Sequence, residues 1–149
     1  MSFLPKISRK RKEKRKAMNF LPNLSRIGLE LDGQPLGVEV ALAESFFARL
    51  RGLILTGPPM PARGLLLAPC NSIHTLGMRG PIEAVFLSKE LRVLKIDTPL
   101  KPWRSVSACR GAWAVLEWRA GEAAYLGLRK GAQLKQTGLA PCAIEEWFQ

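Results

Sequence analysis

The residues best suited to chemistry lie in one short stretch, Cys70-Asn-Ser-Ile-His-Thr75, followed closely by Met78 and Arg79. His74 is the one histidine of the chain, so a general base with a near-neutral pKa would have to be this residue. Cys70 lies four residues earlier and could be a nucleophile beside that base, or the two could supply half of a metal site. We favour a structural histidine in a loop, because a single histidine without a defined partner does not specify catalysis.

Metal and nucleotide chemistry are both disfavoured by the motifs. A zinc site needs three or four ligands, and only the distant Cys109 and Cys142 could complete one with Cys70 and His74. The phosphate-binding motifs GxxxxGK(S/T) and GxGxxG do not occur. We therefore predict no catalytic residue, no metal and no cofactor, with an enzyme based on Cys70 and His74 kept as an alternative.

Charged residues next to apolar runs form a second group of candidates. Arg49 and Arg51 end a predicted helix, Arg79 precedes a predicted strand, and Glu83 and Glu117 lie inside apolar strands. Because burial of an unpaired charge is costly, we expect arginine–glutamate pairs that tie the helix to the sheet. The alternative is that the arginines offer their forked donors to an anionic ligand.

Trp103 lies in a predicted loop, after Pro99-Leu-Lys-Pro102 and before Arg104. An exposed tryptophan flanked by Lys101 and Arg104 could stack on a base or a sugar, or anchor a partner protein. The favoured interpretation is a side chain that folds back as a lid on the core.

The elements that must position these residues are mostly short strands. Alternating apolar residues on both sides of Asp32-Gly33 predict a hairpin, and Ser88-Lys-Glu90 predicts another. Helical spacing predicts a helix over 43–51, and residues 122–126 predict a shorter one. The other predicted strands are 64–68, 82–87, 91–97, 113–118 and 133–137. The fold class is therefore mainly β (α+β), with a small, mostly antiparallel, barrel-like sheet and one or two short helices.

The positive charge of the chain is concentrated at its N-terminus. Residues 6–16 contain eight basic side chains and Glu13, which gives +7 of the net charge of +11. We predict a flexible basic tail over 1–25 and a single domain over 26–149. By counterion release the tail could contact RNA, DNA, a ribosomal surface or acidic lipid nonspecifically.

The tail also repeats itself. Residues 1–9 and 18–26 share Met, Phe, Leu, Pro, Ser and Arg in register. The repeat is either a duplicated docking peptide or a sign that the protein starts at Met18 and that residues 1–17 do not belong to it.

The cysteines and the hydropathy pattern indicate the cell compartment in which the protein is found. Three widely spaced cysteines leave one unpaired in any disulfide scheme, which favours a reducing compartment. A membrane-spanning helix needs about 20 mostly apolar residues, and no run approaches that length. No apolar segment of the kind found in signal peptides follows the basic run. We predict a cytoplasmic protein without a transmembrane segment.

Several short motifs occur together in one order. They are Arg49-Leu-Arg-Gly-Leu53, Gly64–Pro69, Cys70–Thr75, Met78–Ile82, Phe86-Leu87, Pro102-Trp-Arg104, Val115-Leu-Glu117 and Ala120-Gly121. In this order and spacing, from about residue 38 to 135, the chain resembles the DUF192 (UPF0127) family. The resemblance implies a small, mainly β single domain of undefined biochemical function, of a kind common in bacteria.

The resemblance also implies a shared polar cluster, with no catalytic role attached. Its members are Arg51, His74, Met78, Arg79, Glu83 and Glu117. Two positions depart from the family pattern, because Glu83 replaces an Asp and Gly131-Ala132 replaces a Gly-Asp pair. We predict a non-catalytic binding or accessory domain whose surface lies around the loop 74–79, for an unknown protein or a small anionic ligand.

Overall fold

A computed structural model of the chain describes residues 24–43, 63–103 and 105–137. The strands are β1 Arg26–Leu31, β2 Gln34–Pro35, β3 Glu39–Ala43, β4 Arg63–Leu67, β5 Ser72–His74, β6 Ile82–Leu87, β7 Val93–Leu100, β8 Val106–Ala108, β9 Ala114–Arg119 and β10 Leu134–Thr137. One helix, α1 Glu122–Leu126, occurs within these ranges. The predicted strands and the 122–126 helix are thereby confirmed to within a few residues.

Some sequence predictions lie outside the described residues. These are nearly all of the predicted tail 1–25, the helix predicted over 43–51 except its first residue, and Arg104. The first residue of that predicted helix, Ala43, is the last residue of β3, so the helix prediction is wrong at this position.

The main sheet has the strand order β10-β1-β3-β4-β9-β6-β7, with β2 also paired to β1. All its neighbouring strands run antiparallel except β3 and β4, which are parallel from Glu39↔Arg63 to Ala43↔Leu67. A parallel pair needs a long crossover connection, and residues 44–62 supply one. The mostly antiparallel sheet is confirmed, with this one parallel pair in addition.

The sheet curls until its two edges meet at one end. Arg92, just before β7, bridges to Gln133, just before β10. Three backbone hydrogen bonds extend this contact, from Val93 N to Ala132 O at 2.9 Å, from Gly131 N to Val93 O at 2.8 Å and from Leu134 N to Leu91 O at 3.1 Å. The sheet is therefore a curled half-barrel, which confirms the barrel-like sheet predicted from the sequence.

The hairpin between β1 and β2 has the conformation that its sequence predicts. Asp32 and Gly33 have φ angles of 50° and 77°, and Leu31 pairs with Gln34 across this two-residue turn. Such turns need positive φ at both central positions, which Asp-Gly tolerates. The turn thereby places the alternating apolar residues on either side of it on one buried face of the sheet.

Both faces of the sheet are covered. The larger core contains alternate residues of the strands, among them Ile27, Leu29, Val40, Leu42, Leu66, Val85, Leu116 and Trp118. On the opposite face Ile82, Ala84, Phe86 and Val115 pack with Ile73 and Met78. β6 lies between β9 and β7 and is buried along its whole length, because both of its faces are covered by these two layers.

Candidate functional site: the ribbon of β5 and β8

A separate two-stranded ribbon carries most of the predicted polar cluster. Strands β5 and β8 pair antiparallel, with His74 opposite Val106 and Ile73 opposite Ser107. Ile73 and Ser107 are buried, and Ile73 packs on the sheet cluster that contains Phe86. Because side chains alternate along a strand, His74 and Val106 are directed to the outer face of the ribbon.

Side chains of the edge strand β7 hold this ribbon in place. Asp97 pairs with Lys95 at 2.8 Å and accepts a hydrogen bond from the hydroxyl of Ser107. Lys95 Nζ also donates to the carbonyl oxygen of Ala108 at 3.0 Å. We call these four residues the β7–β8 clamp, and it joins the ribbon to the sheet without a backbone ladder.

The clamp lowers the pKa of Asp97. Partial burial acts to raise this pKa, but the hydrogen bonds from Lys95 and Ser107 and the charge of Lys95 outweigh burial. The carboxylate therefore stays ionised at pH values where an ordinary Asp begins to take up a proton.

Thr75 fastens the two loops at the end of the ribbon to each other. Its buried hydroxyl donates to Lys101 O at 2.7 Å and accepts from Ser105 N at 3.0 Å. Its carbonyl oxygen accepts from Trp103 N at 2.8 Å and from Met78 N at 3.2 Å. The loop after β5 and the loop before β8 therefore form one hydrogen-bonded unit.

Trp103 is displayed by this unit rather than folded onto the core. Its φ is 66°, a conformation that costs a non-glycine residue about 1–3 kcal/mol unless the surroundings hold it. The residue as a whole is 64% exposed. The prediction of a lid over the core is therefore wrong, because the hydrogen bond to Thr75 fixes the backbone in a conformation that leaves the ring in solvent.

Two further apolar side chains are exposed beside Trp103. Leu76, adjacent to Thr75, is 53% exposed, and Val106, opposite His74, is 80% exposed. We call Leu76, Trp103 and Val106 the ribbon-tip patch. The exposed basic residues Arg79 and Lys101 belong to the same two loops.

Cys70 and His74 each make a hydrogen bond to a backbone group two residues away. The Nδ1 atom of His74 accepts a hydrogen bond from Leu76 N at 3.2 Å, so the proton of the neutral ring lies on Nε2. The thiol of Cys70 donates to the carbonyl oxygen of Ser72 at 3.1 Å. Cys70 and Cys109 are both in the thiol form. Among the described residues no three His, Cys, Asp or Glu side chains are grouped as a metal site would require.

Glu83 is a structural residue of the core. Its carboxylate is 1% exposed and accepts hydrogen bonds from Trp118 Nε1 at 2.5 Å, Ala123 N at 2.8 Å and Gly121 N at 3.2 Å. The side chain thus caps the first backbone N–H groups of α1 and joins the helix to the sheet. The expected arginine partner is replaced here by an indole and the backbone.

An arginine–glutamate pair does occur where β9 leads into α1. The buried carboxylate of Glu122 accepts from Arg119 Nη2 at 3.0 Å and from Nε at 3.2 Å. This two-point contact fastens the start of α1 to the end of β9.

The other predicted cluster members separate into buried and exposed groups. Glu117 is buried in β9 between Leu65 of β4 and Ala84 of β6, and Met78 is buried under the ribbon. His74 is partly exposed and Arg79 is exposed. Arg51 lies outside the described residues. Of the described cluster members, only His74 and Arg79 reach the surface, and they belong to the ribbon and loops that also expose Trp103.

The sequence did not indicate the roles of four residues of this surface and its supports. Leu76, Val106 and Ser107 carry no motif of their own, and nothing in the stretch Cys70–Thr75 shows that the hydroxyl of Thr75 joins two loops. These roles come from the pairing of two loops far apart in the chain. The one available signal was that Leu76 and Val106 are apolar residues beside predicted loops.

No helix of the described residues has the length and apolar character needed to cross a bilayer.

The fold and ribbon define a class of small β domains in which a curled sheet supports a two-stranded ribbon. The DUF192 family model, described as "Uncharacterized ACR", matches residues 28–136, and the chain belongs to that family. This confirms the resemblance seen in the motifs. The search of curated proteins found no match.

Two solved structures have the same fold. One, from Sinorhizobium meliloti 1021, is named as a candidate transcription regulator. It is 22% identical, with a TM-score of 0.69 over 78% of this chain and 97% of that chain. The other is a protein of unknown function from Novosphingobium aromaticivorans DSM 12444, 19% identical, with a TM-score of 0.64 over 75% of this chain and 84% of that chain. At these identities the likeness carries the fold alone.

Proposed function

We propose that this domain is a non-catalytic binding or accessory module whose binding surface is the ribbon-tip patch with His74 and Arg79. The observation that carries the proposal is the exposure of three apolar side chains on β8 and on the two loops that Thr75 joins by hydrogen bonds. Exposed apolar side chains that are grouped, rather than scattered singly, often mark binding sites on proteins. The hydrogen bonds of Cys70 and His74 to neighbouring backbone support a structural use of these two residues rather than a nucleophile–base pair.

The proposal is tested with ligands and partners of the wild-type chain. A thermal-shift screen of small anions and affinity capture of partner proteins would be repeated with His74→Ala, Arg79→Ala and, as a control, Arg129→Ala. We expect the first two variants to weaken binding and the control to retain it. If the screen finds no stabilising ligand and every captured partner is retained by the first two variants, the binding surface is elsewhere.

We propose a cytoplasmic location for the same protein. Its support is the odd number of scattered cysteines, two of which, Cys70 and Cys109, are in the thiol form. Fractionation of cells that express the tagged chain, with thiol alkylation before lysis, tests this. Recovery outside the cytoplasm or with oxidised thiols would contradict it.

A second candidate function belongs to the basic segment 6–16, which we propose as a nonspecific anchor for RNA, DNA or acidic lipid. Its support is the sequence itself, with a net charge of +7 in that stretch. The regulator-like name of one structural neighbour adds no weight, since that likeness carries the fold alone.

Binding of RNA and DNA by the full chain and by a Met18-start variant, across a salt titration, tests the anchor. We expect only the full chain to bind, with an affinity that falls steeply with salt, because each neutralised phosphate contributes about −0.9 to the logarithmic slope on duplex DNA. Equal binding by both forms with a shallow slope would move nucleic-acid recognition to the folded body.

A further inference from the structure

We propose that the ribbon-tip patch binds an acidic segment of a partner protein, which places apolar side chains against Leu76, Trp103 and Val106. This inference rests on the proposed function and names the class of partner.

The charged side chains of the ribbon and its loops all have one sign, and Asp97, the β7 carboxylate that contacts Ser107 of the ribbon, is paired with Lys95. The segments 69–82, 98–103 and 105–113 form the ribbon and its loops, and they contain no Asp or Glu. They carry three basic residues, Arg79, Lys101 and Arg110, besides His74. Arg79, Lys101 and Arg110 are exposed. A carboxylate-rich segment would meet complementary charge at the rim of the patch, which speeds encounter and selects against basic partners.

The patch is preorganised for binding. Two hydrogen bonds of the Thr75 hydroxyl and one from Trp103 N to Thr75 O fix the loop that presents the indole. Val106 is held in register opposite His74 by the ribbon. Since little backbone order has to be acquired on binding, more of the contact energy is retained as affinity.

The composition of the patch favours a protein over a nucleic acid. Single-stranded nucleic acid binds by stacking on aromatic rings, and two of the three exposed apolar residues, Leu76 and Val106, have no ring. Protein interfaces instead combine a tryptophan and arginines with apolar neighbours around a buried anchor.

The experiment is a selection from a randomised peptide display library against the full chain, followed by affinity measurements on the enriched peptides. We expect the enriched peptides to combine Asp or Glu with Leu, Phe or Trp. Their dissociation constants should rise roughly tenfold or more in Trp103→Ala and in the double variant Arg79→Glu/Lys101→Glu.

Matched controls come from elsewhere on the surface. Tyr125→Ala removes another exposed aromatic ring, and Arg129→Glu/Lys130→Glu makes the same change of charge before β10. Both controls should leave the dissociation constants within about a factor of two, and urea unfolding verifies that all variants are folded.

Other results of this experiment would overturn part or all of the inference. Peptides that depend on Trp103 but contain no acidic residues, or that tolerate the charge reversal, overturn the acidic class and leave the proposed binding surface standing. If Trp103→Ala and the charge reversal both leave the binding of the enriched peptides unchanged, or if no peptide is enriched, the acidic class and the proposed binding surface are both overturned. If oligo(dT) binds in a Trp103-dependent manner and no peptide does, the occupant is a nucleic acid and the inference is wrong.

Discussion

Glu83 shows how one buried side chain can join a helix to a sheet. Its carboxylate accepts from the Trp118 indole and from two backbone N–H groups at the start of α1. The same residue type on the surface does much less, since Glu39 pairs with Arg26 where both side chains are partly in water. The location of a charge, rather than its sequence pattern, determines its energetic effect.

Glu83→Ala should lower the free energy of unfolding by about 3 kcal/mol or more, because two buried donors, Trp118 Nε1 and Ala123 N, and the partly buried Gly121 N lose their acceptor together. Glu39→Ala, the matched control, should cost at most about 1 kcal/mol, because exposed ion pairs contribute little. Urea unfolding of the two variants and the wild type measures both values. Equal losses would mean that water reaches the start of α1 and that the cap is not essential.

At the scale of the elements, the ribbon is the unusual part of this fold. Its two strands of three residues each are too short to be stable alone, so its position depends on Thr75, on Ile73 beneath it, and on the β7–β8 clamp. The clamp is electrostatic, which makes the attachment of the ribbon sensitive to acid.

The pH dependence of the clamp follows from the lowered pKa of Asp97. Its pKa in the folded state is below the ordinary value of 3.8, so its stabilisation is complete above that value. The stabilisation is then lost as the pH falls below 3.8 and through the lower folded pKa. Asp97→Asn should therefore be less stable than the wild type near neutrality, and this difference should shrink as the pH falls below about 4.

Urea unfolding between neutral pH and about pH 3 measures this difference. Ser107→Ala is the companion variant, because it removes one of the hydrogen bonds that lower the pKa of Asp97 and should weaken the pH dependence. A stability difference between the wild type and Asp97→Asn that stays constant over the whole range would rule out the clamp as its source.

For the whole molecule, the curled sheet brings distant parts of the chain into one core. β1 lies between β10 and β3, and the residues before β7 and β10 meet where the sheet edges join. Leu134, the first residue of β10, is buried in the large core at this junction. The chain should therefore unfold as one cooperative unit.

Leu134→Ala should lower the free energy of unfolding by about 2–5 kcal/mol, since it leaves a cavity where the two edges meet. The backbone signal in circular dichroism and the tryptophan fluorescence should still change together. Val106→Ala, at an exposed position, should change the free energy by no more than about 0.5 kcal/mol. Separate transitions for the two signals would show that the edge contact does not couple the halves of the sheet.

Much of the architecture was predictable because local patterns specify it. Alternation of apolar residues, the Asp32-Gly33 turn and the run Ile82–Leu87 each determine a strand or a reversal within a few neighbouring residues. The motif order also indicated the family, which the family model confirms. The parallel pair of β3 and β4 was not predictable in this way, because the direction of pairing depends on a crossover of many residues.

The sequence was enough to indicate a mainly β domain, the strands of its main sheet to within a few residues, its family and a polar cluster around His74, but not strands β5 and β8 of the ribbon. Which members of that cluster reach water depends on the tertiary structure. Glu83, Glu117 and Met78 are buried, whereas Arg79 and Trp103 are exposed, together with Leu76 and Val106. The physical reason is that burial depends on contacts between segments far apart in the chain, such as Thr75 with Ser105 and Glu83 with Ala123, and no local pattern encodes them.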